Sequence, residues 1–273
     1  MTGNLAYERL HANLQAMGWL TLERNLDGAL ELGTKEERSF AEILDGLVEQ
    51  ERKARQTNLI ELRLRLAGFP VRKTLEEFDY KAQPSVDRKT IEELATMRFV
   101  HSAENVLFLG PAGVGNTHLA IGLGRGAARA GLSVTYTSAG KALRKLKEAH
   151  ERGVGERALR TLCSPKLLIL DEIGYLPWDK ESAHLFFRIV ENRYERVSTI
   201  FTSNKVYSEW GEVLGDPVLA SAVLNRILHH STTVNIKGES YRLRTERRAG
   251  TPTPVIPMET PMKEKPRGRT TEE

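Results

Sequence analysis

Asn105-Val106-Leu107-Phe108-Leu109-Gly110-Pro111-Ala112-Gly113-Val114-Gly115-Asn116-Thr117 is an apolar run that ends in a glycine-rich turn. The run reads as a buried strand. Thr117 to about Ala130 reads as the helix it feeds, with Leu119, Leu123 and Ala127 on one apolar face, although Gly122, Gly124 and Gly126 weaken that helix. A strand that turns into a helix N-terminus in this way makes an anion site, because successive backbone N–H groups converge and the helix end adds partial positive charge. Gly110 through Thr117 fit the phosphate-loop pattern G-x-x-x-x-G-K-[ST] at every defined place but one, where Asn116 stands for the lysine. Gly110, Pro111, Ala112, Gly113, Val114, Gly115, Asn116, Thr117 and His118 are therefore the expected phosphate-contacting residues, with the Thr117 hydroxyl on Mg²⁺.

The substitution matters because the lysine normally supplies a full positive charge to the β- and γ-phosphates. Asparagine is shorter and neutral; it donates a hydrogen bond and offsets no phosphate charge. A charge-assisted contact is worth roughly 1.5–3 kcal/mol against about 1 for a neutral one. Nucleotide binding is expected to be weakened, and hydrolysis hit harder, since charge builds in the transition state. Lys141, Lys145 or another basic group is a candidate to stand in.

Three downstream segments supply candidate partners for the loop. Leu167-Leu168-Ile169-Leu170-Asp171-Glu172 is an apolar strand ending in two acids; at the carboxyl end of a parallel strand Asp171 would reach Mg²⁺ and Glu172 would activate a water. Thr199-Ile200-Phe201-Thr202-Ser203-Asn204 ends in polar residues at the same edge, and Asn204 is read either as a γ-phosphate contact or as a turn-forming residue. Arg226, on an expected helix, is read either as an arginine presented to a neighbouring subunit's γ-phosphate or as a surface ion pair. His229 and His230 follow it; adjacent histidines on a helix point about 100° apart and have no matching cluster in sequence, so no metal site is expected there.

The 273 residues are 40% hydrophobic and 28% charged, as in a globular protein with room for one large domain and a smaller one. No stretch approaches the ~18 apolar residues of a membrane span. The N-terminus lacks a basic-then-apolar signal pattern, and the single cysteine, Cys163, suits a reducing compartment; a cytoplasmic protein is the expectation. The net charge is only +4, but residues 50–73 carry seven basic residues against two acidic ones. Arg52, Lys53, Arg55, Arg63 and Arg65 fall in this stretch, which is read either as a nucleic-acid contact or as a solvated helix face.

Residues 1–75 read as mostly helical, with Phe40, Ile43, Leu44, Leu47 and Val48 as one stripe. Ile60 to Leu66 alternates like a strand, yet Leu, Arg and Glu favour helix, and Gly68 and Pro70 then stop it. From about 90 to 240, strands at 105–109, 132–137, 166–170, 198–203 and 232–236 alternate with helices such as 182–196, which points to a parallel sheet covered on both faces. The tail from Gly250, rich in Pro, Thr and charge, reads as disordered.

With these segments in hand, the chain resembles the IstB-type ATP-binding proteins of insertion sequences, relatives of the DnaC helicase loader within the AAA+ class. The matching stretches are Lys73-Thr-Leu-Glu-Glu-Phe-Asp-Tyr80, Gly110 to Ala120, Leu167 to Leu176, Arg193-Tyr-Glu-Arg196, Thr202-Ser-Asn204 and Ile236-Lys-Gly-Glu-Ser-Tyr-Arg-Leu243. The resemblance implies an α/β AAA+ P-loop core with a five-stranded parallel sheet over residues 76–245. It implies a small all-helical DNA-binding domain over 1–75 ahead of that core, and leaves 246–273 as a tail. It implies ATP and Mg²⁺ as cofactors, double-stranded DNA and a transposase as partners, ATP-dependent homo-oligomers and no membrane contact. By position Asp171 and Glu172 resemble the family's acid pair, Asn204 the first sensor, Arg226 the arginine finger and Arg242 a second, sensor-like arginine. Asn116 departs from the family's lysine, and Asn225 stands where relatives usually carry Asp. The implied activity is that of a DNA-assembled helper regulating a transposase, with a non-hydrolysing DNA-binding scaffold and a replicative helicase loader as the alternatives.

Overall fold

The computed structural model describes residues 2–175 and 177–241. Five parallel strands, β1 (Asn105–Leu109), β2 (Val134–Ser138), β3 (Leu167–Ile173), β4 (Ser198–Ser203) and β5 (Ser231–Asn235), form one sheet in the order β2-β3-β4-β1-β5. The central strands are the apolar runs, because helices cover both of their faces. Side chains alternate across the sheet. Val106, Phe108, Leu167, Ile169 and Ile200 face one core with α6 (Asn116–Arg129), α4 (Arg88–Ala95) and α5 (Arg98–His101). Leu107, Leu109, Leu168, Leu170 and Phe201 face the other, built by α7 (Ala139–Glu151), α8 (Gly155–Cys163), α9 (Lys180–Arg193), α10 (Trp210–Leu214) and α11 (Pro217–His229). Trp210 and Trp178 pack in this second core, Trp210 fully buried and Trp178 edge-on to Phe186.

The glycines that weaken α6 as a helix have a packing reason. A Cβ at Gly122 would meet Leu75 at 2.6 Å, one at Gly124 would meet Ile169 at 2.5 Å and one at Gly126 would meet Met97 at 2.8 Å. They let α6 lie close on the sheet and on the segment before it, while Leu119, Leu123 and Ala127 are fully buried.

Ahead of the sheet, α1 (Thr2–Ala16), α2 (Leu20–Lys35) and α3 (Phe40–Leu66) share a small core of Leu14, Leu22, Leu26 and Leu47. Helix α3 starts on a capping box: the Glu42 amide donates to Ser39 Oγ at 3.3 Å, and the Ser39 amide donates to the Glu42 carboxylate at 2.7 Å. It continues unbroken through Ile60–Leu66 and ends before Gly68, whose φ of +75° suits glycine. Along its length it changes partners. Leu47 belongs to the small helical core, whereas Leu64 and Ala67 pack in the core beside α6. Phe40, Leu44 and Val48 of the expected stripe stay exposed.

One buried cation ties the sheet to its helices. Arg193, 2% exposed at the end of α9, donates from Nε to Thr199 Oγ1 at 2.8 Å and from one terminal nitrogen to the carbonyls of Cys163 at 2.8 Å and Pro165 at 3.0 Å. Its other terminal nitrogen donates to the Ser198 carbonyl. Burial lowers its pKa to about 10.

Candidate nucleotide-binding site

β1 delivers the chain to Gly110 at the carboxyl edge of the sheet, and the loop turns straight into α6. Gly113 (φ +85°) and Gly115 (φ +115°) take backbone conformations that side chains disfavour. A Cβ at Gly115 would also meet the Phe78 ring at 2.6 Å. Gly115→Ala is expected to cost about 1–3 kcal/mol of stability and at least about tenfold in nucleotide affinity. Thermal denaturation with titration calorimetry checks this, and unchanged binding would mean the loop tolerates a side chain there.

The loop bounds a cleft of about 320 Å³ whose lining includes Pro111 through His118, Glu172 and Asn204. Gly110 closes the loop from behind, its carbonyl accepting from Asn116 Nδ2 at 2.7 Å, with the Ser203 carbonyl at 3.5 Å as a weaker second acceptor. Asn116 thus turns its donor onto the loop's own backbone. Its Oδ1 and that of Asn204 are buried without a hydrogen-bond partner among the described residues.

Asp171 is 1% exposed and accepts from Thr117 Oγ1 at 3.0 Å, from Thr202 Oγ1 and from the Tyr136 hydroxyl. Burial and then Asp171 push the Tyr136 phenol up, so it stays a neutral donor. Sequence reading treats the two acids as following a strand at 166–170. Instead β3 runs on to Ile173, and its pairing with β4 slips between Leu170 and Ile173. The acids occupy that bulge, and Glu172 has φ +63°, a conformation uncommon outside glycine. Its amide donates to Thr202 Oγ1 at 2.9 Å, so Thr202 holds both acids.

The far wall comes from the Lys73–Tyr80 stretch. Lys73, Phe78 and Asp79 line the cleft, and Phe78 meets His118 edge-on at 5.3 Å. His118 Nε2 lies 2.8 Å from the Thr74 carbonyl, an acceptor only, so Nε2 carries the proton. Burial pushes the His118 pKa down. Lys141 and Lys145, offered by sequence as substitutes for the missing lysine, line a separate groove with α8, and Lys73 is the lysine that lines this cleft.

The segment after β5 packs onto the loop. The Ile236 amide donates to Leu109 O at 2.7 Å, the Tyr241 amide donates to Gly113 O at 3.0 Å, and a Cβ on Gly110 would lie 2.3 Å from Ile236 O. Gln83 Nε2 holds the Glu239 carbonyl at 3.3 Å, and Ser85 Oγ holds the Lys237 carbonyl at 3.0 Å. Tyr241 lines the cleft. Arg242 and the tail 246–273 lie outside the described residues.

Arg226 lies outside the cleft, on α11. Its guanidinium sits 4.9 Å over the Phe187 ring and donates to the Ala222 carbonyl at 3.0 Å. Nearby, the structure corrects the expectation for His229 and His230. The helix ends at His229, and His230 leaves it with φ −131°, ψ 89°. The two rings therefore come together at 4.1 Å between centroids, and Glu195 from the turn after α9 joins them.

The basic residues of α3 are mostly occupied. Arg52 makes a two-pronged contact with Glu49 at 2.6 and 2.7 Å, holding that carboxyl at about 2, and Lys53 lies 3.5 Å from the same acid. Arg55 pairs with buried Glu51 at 2.7 Å, donates to the Met17 and Gly18 carbonyls at 3.3 and 3.0 Å, and covers Trp19. Arg63 is half-buried near Gly131, and Arg65 is exposed.

Comparison with known proteins matches this arrangement. The chain is 43% identical over 239 residues to the protein named for ATP binding in insertion sequence IS5376 of Geobacillus stearothermophilus, covering 88% of this chain and 92% of that one. Its fold is that of the AAA+ P-loop proteins; the crystal structure of DnaI superposes with a TM-score of 0.53 at 22% identity, over 61% of this chain and 92% of that one. A relative named for ATP binding in insertion sequence IS21 of Pseudomonas aeruginosa is 48% identical over 229 residues, 84% of this chain and 86% of the relative. The IstB-like ATP binding protein model spans residues 12–249, taking in the helical region, the loop and the acid pair alike, and the chain belongs to that family.

Proposed function

We propose that the chain is an ATP-binding, DNA-binding helper that assembles on double-stranded DNA and regulates a partner transposase. The observation that carries the nucleotide part is the Thr117 hydroxyl 3.0 Å from the buried Asp171 carboxylate, at the mouth of a loop whose cleft also holds Glu172 and Asn204. Thr117 and Asp171 would hold Mg²⁺, and the loop amides and the N-terminus of α6 would hold the phosphates. The residues fit that ligand. Thr117, Glu172 and Asn204 line the cleft, and the Asp171 carboxylate lies directly behind Thr117 within hydrogen-bond reach. Two buried amide oxygens there have no protein donor among the described residues, a place bound water would fill. Bound Mg²⁺ would offset phosphate charge. The chain's own part is to orient. Thr202 holds Asp171 and Glu172 in place, Glu172 is the general base, Asn204 the phosphate sensor, and Arg226 and Arg242 act on the triphosphate, Arg226 from a neighbouring subunit.

Asn116 favours a second reading, a non-hydrolysing DNA-binding scaffold whose loop holds nucleotide poorly or not at all. The test measures ATP binding, phosphate release and oligomer size, with and without DNA. Nucleotide-dependent assembly on DNA with turnover supports the helper, DNA binding without turnover supports the scaffold, and failure to bind ATP ends the helper.

Residues 1–75 would supply the DNA contact, within the basic stretch of α3. Arg55 is a poor probe of it, because removing that side chain also strips two carbonyls and leaves the buried Glu51 charge without its cation, held only by the Thr21 and Leu22 amides among the described residues. Neutralising Arg52, Lys53 and Arg65 to Gln is expected to weaken binding to duplexes of any sequence and to lower the salt slope by about one per lost phosphate contact. Unchanged affinity across a salt series would move the contact elsewhere.

A further inference from the structure

The edge of the sheet opposite the phosphate loop carries a second constellation. The chain enters β4 through Glu195 and enters β5 through His229 and His230, so two parallel strands that both pair with β1 bring these side chains to one edge. Glu195 Oε1 lies 3.3 Å from His229 Nδ1 and 3.7 Å from His230 Nε2. One ligand atom from each of the three residues falls within 4.8 Å of the others. With metal–ligand bonds of about 2.0–2.1 Å, donors on a tetrahedral ion stand roughly 3.3–3.4 Å apart. The two contacts to Glu195 are already close to that edge length, so small side-chain adjustments would seat an ion. Two imidazoles and one carboxylate suit Zn²⁺, Ni²⁺ or Cu²⁺ and are a poor set for Mg²⁺, which prefers oxygen. Three protein ligands also leave a fourth position open. The Tyr194 hydroxyl stands beside the set, 2.8 Å from His229 Nδ1.

We propose that Glu195, His229 and His230 bind a divalent transition-metal ion of the Zn²⁺ class. The site joins the end of α9 to the end of α11, the two helices between which Arg226 is held over Phe187. A bound ion therefore cross-links the support of Arg226. The proposal stands on the three side chains alone and is independent of whether the chain binds or hydrolyses nucleotide.

The test uses the full chain, stripped with a chelator and titrated with Zn²⁺ against a chromophoric competitor. One ion per chain is expected, with a Kd of about 10 µM or tighter. Co²⁺ in its place is expected to give the intense visible bands of a four-coordinate site. Glu195→Gln, His229→Ala and His230→Ala are each expected to weaken binding at least about tenfold. Cys163→Ser and His184→Ala, which change donors elsewhere, are expected to leave it unchanged. All three proposed ligands are exposed, so their variants are expected to fold, and circular dichroism checks that they do. Absence of stoichiometric binding overturns the proposal. So does affinity that survives in the His229→Ala/His230→Ala double variant, or binding so weak that only an adventitious ion accounts for it.

Discussion

Asn116→Lys is expected to tighten ATP binding about tenfold and to raise turnover by roughly 10²–10³, because one preorganised charge returns to phosphates that gain charge in the transition state. The native residue does not leave the loop unsupported. Its amide ties Gly110 O and faces Ser203 O, so it holds the loop's shape without supplying charge. Shape and charge are therefore separable. Asn116→Ala is expected to lose the tie, at about 1 kcal/mol, and to bind nucleotide no better than the native chain. Lys73, on the opposite wall, is the side chain placed to carry part of the missing charge. Removing it is then expected to weaken binding more in the native chain than in Asn116→Lys, a coupling that a double-mutant cycle measures. Titration calorimetry and phosphate release decide the matter. Turnover unchanged in the lysine variant would mean that the absent cation is not what limits the site.

Arg193→Met is expected to be the most damaging single change to stability, at about 3–5 kcal/mol, with a fall in Tm of roughly 10 °C or more. The guanidinium satisfies the carbonyls of Cys163, Pro165 and Ser198 and the Thr199 hydroxyl, all at the edge where α8, β3, α9 and β4 meet. Methionine of similar reach fills the space and leaves those acceptors dry. Arg193→Lys is expected to recover part of the loss, since three donors on one nitrogen cannot copy a planar fork. Burial depresses the folded-state pKa to about 10. The cost of burying the charge is thus present in full at neutral pH and is relieved only as pH rises through that value. The destabilisation is therefore expected to be the same at pH 6 and pH 8. Denaturant melts of both variants check it, and a loss below about 1 kcal/mol would mean that water replaces the fork.

Much of the sheet was legible because its central strands are buried on both faces and so read as apolar runs; β1 and β4 fall on the expected residues 105–109 and 198–203. The ambiguous Ile60–Leu66 proved helical, and its alternating leucines do not mark one buried face. In that part of α3 Leu64 packs on the large core, while Leu59, Leu62 and Leu66 remain exposed. Residues joined by strand register were not legible. Tyr136 and Thr202 come from β2 and β4 to reach Asp171 on β3, and nothing in their own segments marks them as its partners. The histidine pair was misjudged because the 100° argument assumes a continuing helix, and α11 stops at the first of them. Arg193 lay in a quoted motif, but a buried arginine answered only by neutral oxygens looks in sequence like any helix-terminal base.

The amide of Tyr241 fastened to Gly113 gives the phosphate loop a leash. Any ligand that shifts Gly113 must drag or release the segment that follows β5. Thermodynamic reciprocity then requires that a protein tugging on that segment alter ligand affinity by the same factor.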